Sequence, residues 1–176
     1  MKFSMQEMAV GTFVPMLESL SALLDKAEAH ARSAELDLVN ARLAADMYPF
    51  RQQVQLACDH AKDGCARLAG RDAPKFENSE KTLAELKTRI ALTLEHVRDI
   101  PATAFIGAEE RDCSIPISND MVIEMDGVRF LRSWALPHFY FHVVTAYDIL
   151  RQSGVAIGKQ DYLSQVGGFI RPRAKA

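Results

Sequence analysis

The segment WALPHFYFHVVTAYDIL, Trp134 to Leu150, limits the fold most. Its apolar residues are spread nearly all round a helical wheel rather than along one stripe. A helix of that kind has to be covered by other elements, so the rest of the chain is expected to supply the cover.

The cover is visible as three amphipathic stripes. The first helix is expected over about residues 5–32, opened by an S-x-x-E capping box at Ser4 and Glu7. Its stripe is Met16, Leu17, Leu20, Leu23, Leu24, Ala27 and Ala31. Pro15 interrupts the pattern and predicts a kink or a late start. SAELDLVNARLAAD is a link with room for one helical turn. Asp46 is expected to cap the second helix, with Pro49 in its first turn. Phe50, Val54, Ala57, Cys58, Ala61, Cys65 and Leu68 share one face, and Gly70 is a fitting stop. A third helix, capped by Asn78 or Ser79, carries Leu83, Leu86, Ile90, Leu94 and Val97, with Pro101 just past its end.

Residues 102–127 differ in character. DCSIPIS and MVIEM around Ser118–Asn119–Asp120 predict a β-hairpin ended by Asp126–Gly127. The fourth helix is expected over about 129–152, stopping at Gly154, with a kink near 133–137 because Pro137 has no N–H to donate. The tail 166–176 reads as frayed. The pattern is an all-α fold, a four-helix bundle with a small hairpin between the third and fourth helices, in one domain over 1–176.

Composition narrows the function classes. Net charge is −2, with no basic surplus to hold a phosphate backbone, so nucleic acid is not an expected partner. No apolar run reaches the roughly 18 residues of a membrane span. The N-terminus lacks the apolar core of a secretory signal, so the expected compartment is the cytoplasm. Cys58 and Cys65 are seven residues apart on one helix. That is roughly 10 Å, too far for a disulfide, so both read as core residues. Cys113 falls in a strand. Dinucleotide and P-loop motifs are missing, as are H-E-x-x-H, C-x-x-C and G-x-S-x-G.

The remaining chemical signal is HFYFH. The i, i+4 spacing of His138 and His142 puts both rings on one side of a helix, where two imidazoles can reach one divalent ion. The alternative is structural: His138 bonds a carbonyl freed by Pro137, and His142 is a satisfied core or interface residue. A working site needs a third ligand. Gln53 and His60 lie on the same flank of the second helix and are the two candidates, His60 being the better donor chemically. Trp134, Tyr140 and Tyr147 bring polar tips into an apolar helix, as pocket lining or as core packing. Asp148 and Glu124 are candidate general bases. His30 and His96 fall on polar helix faces and read as surface residues. Lys159 and Asp161 read as a surface pair or as an anchor for the tail.

The run DMYPFRQQVQLACDHAKDGCARLAG, followed by WALPHFYFHVVTAYDILRQSGVAIGKQDYL, resembles the bacterial family known as domain of unknown function 1993, within the DinB/YfiT-like superfamily of metalloenzymes. SALLDKAEAHA fits the same resemblance, which spans nearly the whole chain. It implies a DinB-like bundle of up-down-down-up order, often dimeric. It also implies a divalent metal (Zn or Ni) held by one histidine on the second helix and an H-x-x-x-H pair on the fourth. Some superfamily members are thiol-dependent transferases or isomerases. The pair falls on His138 and His142. The region of the second-helix histidine reads Arg51 to Gln55 here, with His60 two turns on, and the branch often has asparagine where His138 stands. Three functions stay open: an uncharacterised bundle with an incomplete metal site, a metal-dependent thiol transferase or hydrolase, and a non-catalytic homodimer that binds a small molecule or a protein.

Overall fold

Ser4 opens the first helix as its spacing predicts. Its hydroxyl accepts from Glu7 N–H while the Glu7 carboxylate accepts from Ser4 N–H. The structure, a computed structural model, describes residues 4–173. Helix α1 (Met5–Ala34) runs unbroken past Pro15 and does not start late. Proline frees the carbonyl four residues back, and here that residue is Gly11, exposed and able to meet water.

Helix α2 (Phe50–Leu68) begins at Pro49 rather than with an Asp46 cap. The physical reason is tertiary. Phe50 and Arg51 donate to the carbonyls of Ala41 and Val39 in the preceding link, so the first turn needs no side-chain cap. Gly70 ends the helix at φ +65, with Gly70 and Arg71 N–H returning to the carbonyls of Arg67 and Ala66. Helix α3 (Leu83–Asp99) is capped by Thr82 with Glu85, not by Asn78 or Ser79.

Strands β1 (Cys113–Pro116) and β2 (Val122–Met125) pair antiparallel as the predicted hairpin. Helix α4 (Gly127–Phe130) then passes through a π turn (Leu131–Ala135) into helix α5 (Leu136–Gln152). Leu136 N–H reaches back five residues to Leu131, so the helical ladder is irregular over 131–135, just ahead of Pro137, where the sequence predicts a kink. Helix α6 (Lys159–Tyr162) and a 3₁₀ turn (Ser164–Phe169) follow, the turn taking in residues 166–169 of the tail expected to fray. Asp161 pairs with Lys26 and Ser164 bonds Ser19, both on α1; residues 174–176 of that tail lie outside the described residues.

Side-chain pairs give the helix directions. Gln53 meets His142 while His60 meets His138, so α2 and α5 are antiparallel. Asp25 pairs with Lys87 and Glu18 with Arg98, so α1 and α3 are antiparallel. Phe13 packs edge-on against Phe139 and His30 bonds the Ser153 carbonyl, so α1 and α5 run together. Asp59 pairs with Arg89, and the field of Lys62 is felt at His96, so α2 and α3 also run together. That is up-down-down-up. The crossover from α2 to α3 is the link 69–82, which can reach roughly 50 Å, so neither helix has to fray to make it.

One continuous core joins α1, α2, α3 and α5, with Phe13, Phe50 and Phe139 fully buried. By length and composition α1 could cross a bilayer, but its stripe (Ala9, Phe13, Leu17, Leu20, Leu24) faces this core. Helix α5 is less enclosed than its sequence predicts: Phe141 is 57% and Val144 40% exposed. Cys58 and Cys65 are buried and free, and burial pushes both thiols up to about 12, which keeps them protonated. Cys113 is free and buried as well.

Candidate metal centre

The antiparallel register of α2 on α5 brings three imidazoles together. The ring centroid of His60 lies 4.8 Å from that of His138 and 5.4 Å from that of His142, with interplanar angles of 29° and 10°. His60 therefore joins the pair that HFYFH places on one helix face, and the Gln53 side chain touches His142 as well. The signal for His60 was its flank on α2. Whether its depth along the helix suits the pair depends on the direction of the partner helix, which the sequence does not record.

Hydrogen bonds assign the two α5 tautomers. His138 Nδ1 lies 2.8 Å from the Trp134 carbonyl. A carbonyl only accepts, so His138 carries its proton on Nδ1 and leaves the Nε2 lone pair open. The Gln53 amide donates through Nε2 to the Tyr48 carbonyl at 3.0 Å, which turns Oε1 toward His142 Nδ1 at 2.8 Å. His142 then also donates from Nδ1 and keeps Nε2 open. Histidines that bind metals are commonly held this way, with the far N–H donated to an oxygen. Gln53 thus fixes the orientation of the His142 ring. Among the described residues no protein group bonds the His60 ring.

Two of the rings, His60 and His142, are neutral at ordinary pH. Burial lowers His60 to about 4, with the neighbouring His138 and His142 adding to it. Burial, then His138, lowers His142 to about 4. No carboxylate contributes to either shift; the only charged neighbours that do are the other histidines. A proton competes weakly with a metal ion at such rings. Trp134 lies with its ring centroid 4.3 Å from that of His138 and Phe141 edge-on 5.3 Å from His142, which makes the rim aromatic.

Two folded-state values below the unfolded value of 6.5 fix the sign of a pH effect. The unfolded chain binds more protons between pH 4 and 6.5, so stability rises with pH across that window and is lost as pH falls through it. For metal-free protein the expected loss between pH 6.5 and 4 is at most about 2–3 kcal/mol for each ring, and less for half-buried His60, which solvent screens. Urea unfolding at a series of pH values measures it, and His60→Gln with His142→Gln should flatten the slope. An equally steep slope in that variant would assign the effect elsewhere.

Other expected residues stand apart from the cluster. At 100° per residue Tyr140 points away from both His138 and His142. Tyr147 lies edge-on to Tyr162 of α6. His30 and His96 are half-buried rather than free on the surface: His30 bonds the Ser153 carbonyl, and His96 Nε2 is buried with no partner among the described residues. Asp148 is half-buried and Glu124 exposed on β2. The anchor role of Asp161 is met by Lys26, not by Lys159.

The donor chemistry fits a divalent ion: three imidazoles, two with fixed tautomers and open Nε2 atoms. Yet no group of three His, Cys, Asp or Glu side chains converges on one point among the described residues. His138 and His142 are held by their carbonyl partners. His60 is unbonded, so it is the ring that has to turn for the three donors to meet.

The family model described as Domain of unknown function (DUF1993) matches residues 5–163. The chain is also similar to a solved structure, the crystal structure of a DinB family member protein from Shewanella denitrificans. The two share 41% identity and superpose with a TM-score of 0.83, over 97% of this chain and 94% of that one. No curated protein matches.

Proposed function

The chain belongs to the domain of unknown function DUF1993 family and has a DinB-like fold, and from that premise we propose that it is a cytoplasmic protein whose His60, His138 and His142 bind one divalent ion, Zn or Ni. The observation that carries this reading is the pair of assigned tautomers. The Trp134 carbonyl and the Gln53 Oε1 each accept from an Nδ1–H and leave the Nε2 lone pair open.

With an ion bound, the site would supply Lewis acidity and an activated water or thiol, the chemistry of a metal-dependent hydrolase or thiol transferase. The protein's own part is to hold the rings and exclude water. Gln53 prevents His142 from flipping. Trp134 covers one face of His138 and holds its Nδ1–H through the main-chain carbonyl.

The test is metal content of protein purified without a histidine tag, before and after equilibration with zinc or nickel. One equivalent is expected, held by wild type and lost in His142→Ala. His60→Ala and Gln53→Leu are each expected to weaken binding about 10–100-fold. A wild type that takes up no ion at stoichiometric zinc overturns the reading. The non-catalytic bundle would then gain, and the exposed Phe141 and Val144 on α5 offer it an apolar contact face.

A further inference from the structure

A groove at the C-terminal end of α2 lies away from the histidine cluster. Its volume is about 550 Å³, within the usual range for small-molecule sites. Five cationic side chains line it: Lys62, Arg67, Arg71, Lys75 and Arg111. Three acids share the wall, Asp63, Asp72 and Asp112, which leaves a local surplus of two positive charges on a chain whose net charge is −2.

How these charges are held matters more than their number. Arg111 donates to the carbonyls of Leu68 (2.5 Å) and Ala104 (3.4 Å). Its guanidinium occupies the space that a side chain at Gly70 would fill, since a Cβ there would sit 2.8 Å from Arg111 Nη1. Arg67 donates to the Ser114 carbonyl of β1. Carbonyls fix both guanidinium groups without cancelling their charge. Among the described residues, neither these two nor Arg71 or Lys75 has a carboxylate within ion-pair distance. Asp63, by contrast, is already engaged by Lys62, whose side chain is 5% exposed. Ala66, Ala73 and Pro74 give the groove an apolar part.

We propose that this groove binds a small phosphorylated molecule. Arg71 and Lys75 meet the phosphate, Arg67 and Arg111 supply fixed positive charge behind them, and the Ala66–Ala73–Pro74 wall takes the organic part. Planar guanidinium forks suit phosphate oxygens, and charge-assisted bonds to them are the strong ones.

Inorganic pyrophosphate is the probe, titrated calorimetrically into the full-length protein after chelator treatment and dialysis. Saturable one-site binding is expected. It should weaken at least about tenfold in Arg71→Gln/Lys75→Gln, stay unchanged in Lys159→Gln, and survive in His142→Ala. Both substituted loop residues are exposed, and a thermal melt confirms that the double variant is folded. Absence of saturable binding, equal binding in the double variant, or binding lost in His142→Ala would each overturn the assignment. The last outcome would place the anion at the histidines instead.

Discussion

Gly127→Ala is expected to cost about 3 kcal/mol or more of stability, the largest effect of a methyl added at any of the chain's glycines. A Cβ at Gly127 would lie 1.8 Å from the Ala108 carbonyl oxygen and 3.2 Å from Leu68 Cδ2. The first contact is with main chain, so a rotamer change cannot relieve it. Either the 102–111 segment or the start of α4 has to move, and Val128 N–H then loses the Glu109 carbonyl. Overpacking typically costs about 1–3 kcal/mol and exceeds that when the backbone is the obstacle. For a chain of this size that is a fall in Tm of about 6–12 °C. Gly11→Ala is the control. Gly11 sits exposed inside α1 with nothing within 4 Å of an added Cβ, so alanine should stabilise by about 0.5–1 kcal/mol. A Gly127→Ala melt within 2 °C of wild type would show that the two segments are not in contact.

Arg89→Met is expected to cost about 3–5 kcal/mol, because it removes the cation that joins Glu80 to Asp59 in a part-buried network. Arg89 is 2% exposed and donates to Glu80 (2.8 Å), Asp59 (2.9 Å) and the Glu77 carbonyl (3.0 Å). Gln55 bonds the other Glu80 oxygen at 2.7 Å, and Arg89 and Lys62 each lie 5.5 Å from the Phe76 ring centroid. These contacts hold the crossover link onto α2 and α3. Burial pushes the Glu80 carboxyl up, but its bonds to Arg89, its own backbone and Gln55 outweigh this and hold it below the usual range. At Asp59 burial wins over Arg89 and Lys62, and the carboxyl is raised. Glu80 is therefore the partner that depends most on Arg89. Methionine fills the volume but leaves that carboxylate and the Glu77 carbonyl unanswered. Removing the acid together with the base, as Arg89→Met/Glu80→Met, should restore more than half of the loss. Guanidinium unfolding measures both variants. A loss under about 1 kcal/mol in the single variant would mean that water already reaches the network.

The helices were legible because burial on one face imposes a 3.6-residue repeat on the sequence. The stripes of α1, α2 and α3 all lie in the core, and the hairpin falls where alternation and Ser118–Asn119–Asp120 place it. Helix starts were legible only where the cap is local. Ser4 with Glu7 fulfils its motif. Thr82-x-x-Glu85 is the same motif and marks α3 equally well, but Asn78 and Ser79 competed with it in the sequence. The start of α2 had no local signal, since its first N–H groups are met by carbonyls of Val39 and Ala41.

For the site, the sequence by itself determined the chemistry: the H-x-x-x-H pair, and Gln53 and His60 on one flank of α2. Only the tertiary structure decided their roles. With α2 antiparallel to α5, Gln53 meets the Nδ1 side of His142, and His60, two turns on, meets His138 and His142. The physical reason is that a helical repeat records which face a residue occupies but not which helix covers that face or in which direction it runs. The cationic groove shows the same limit. Arg67, Arg71, Lys75 and Arg111 are spread over forty-five positions and carry no shared motif. They become neighbours only when the end of α2, the crossover and the segment before β1 are packed together.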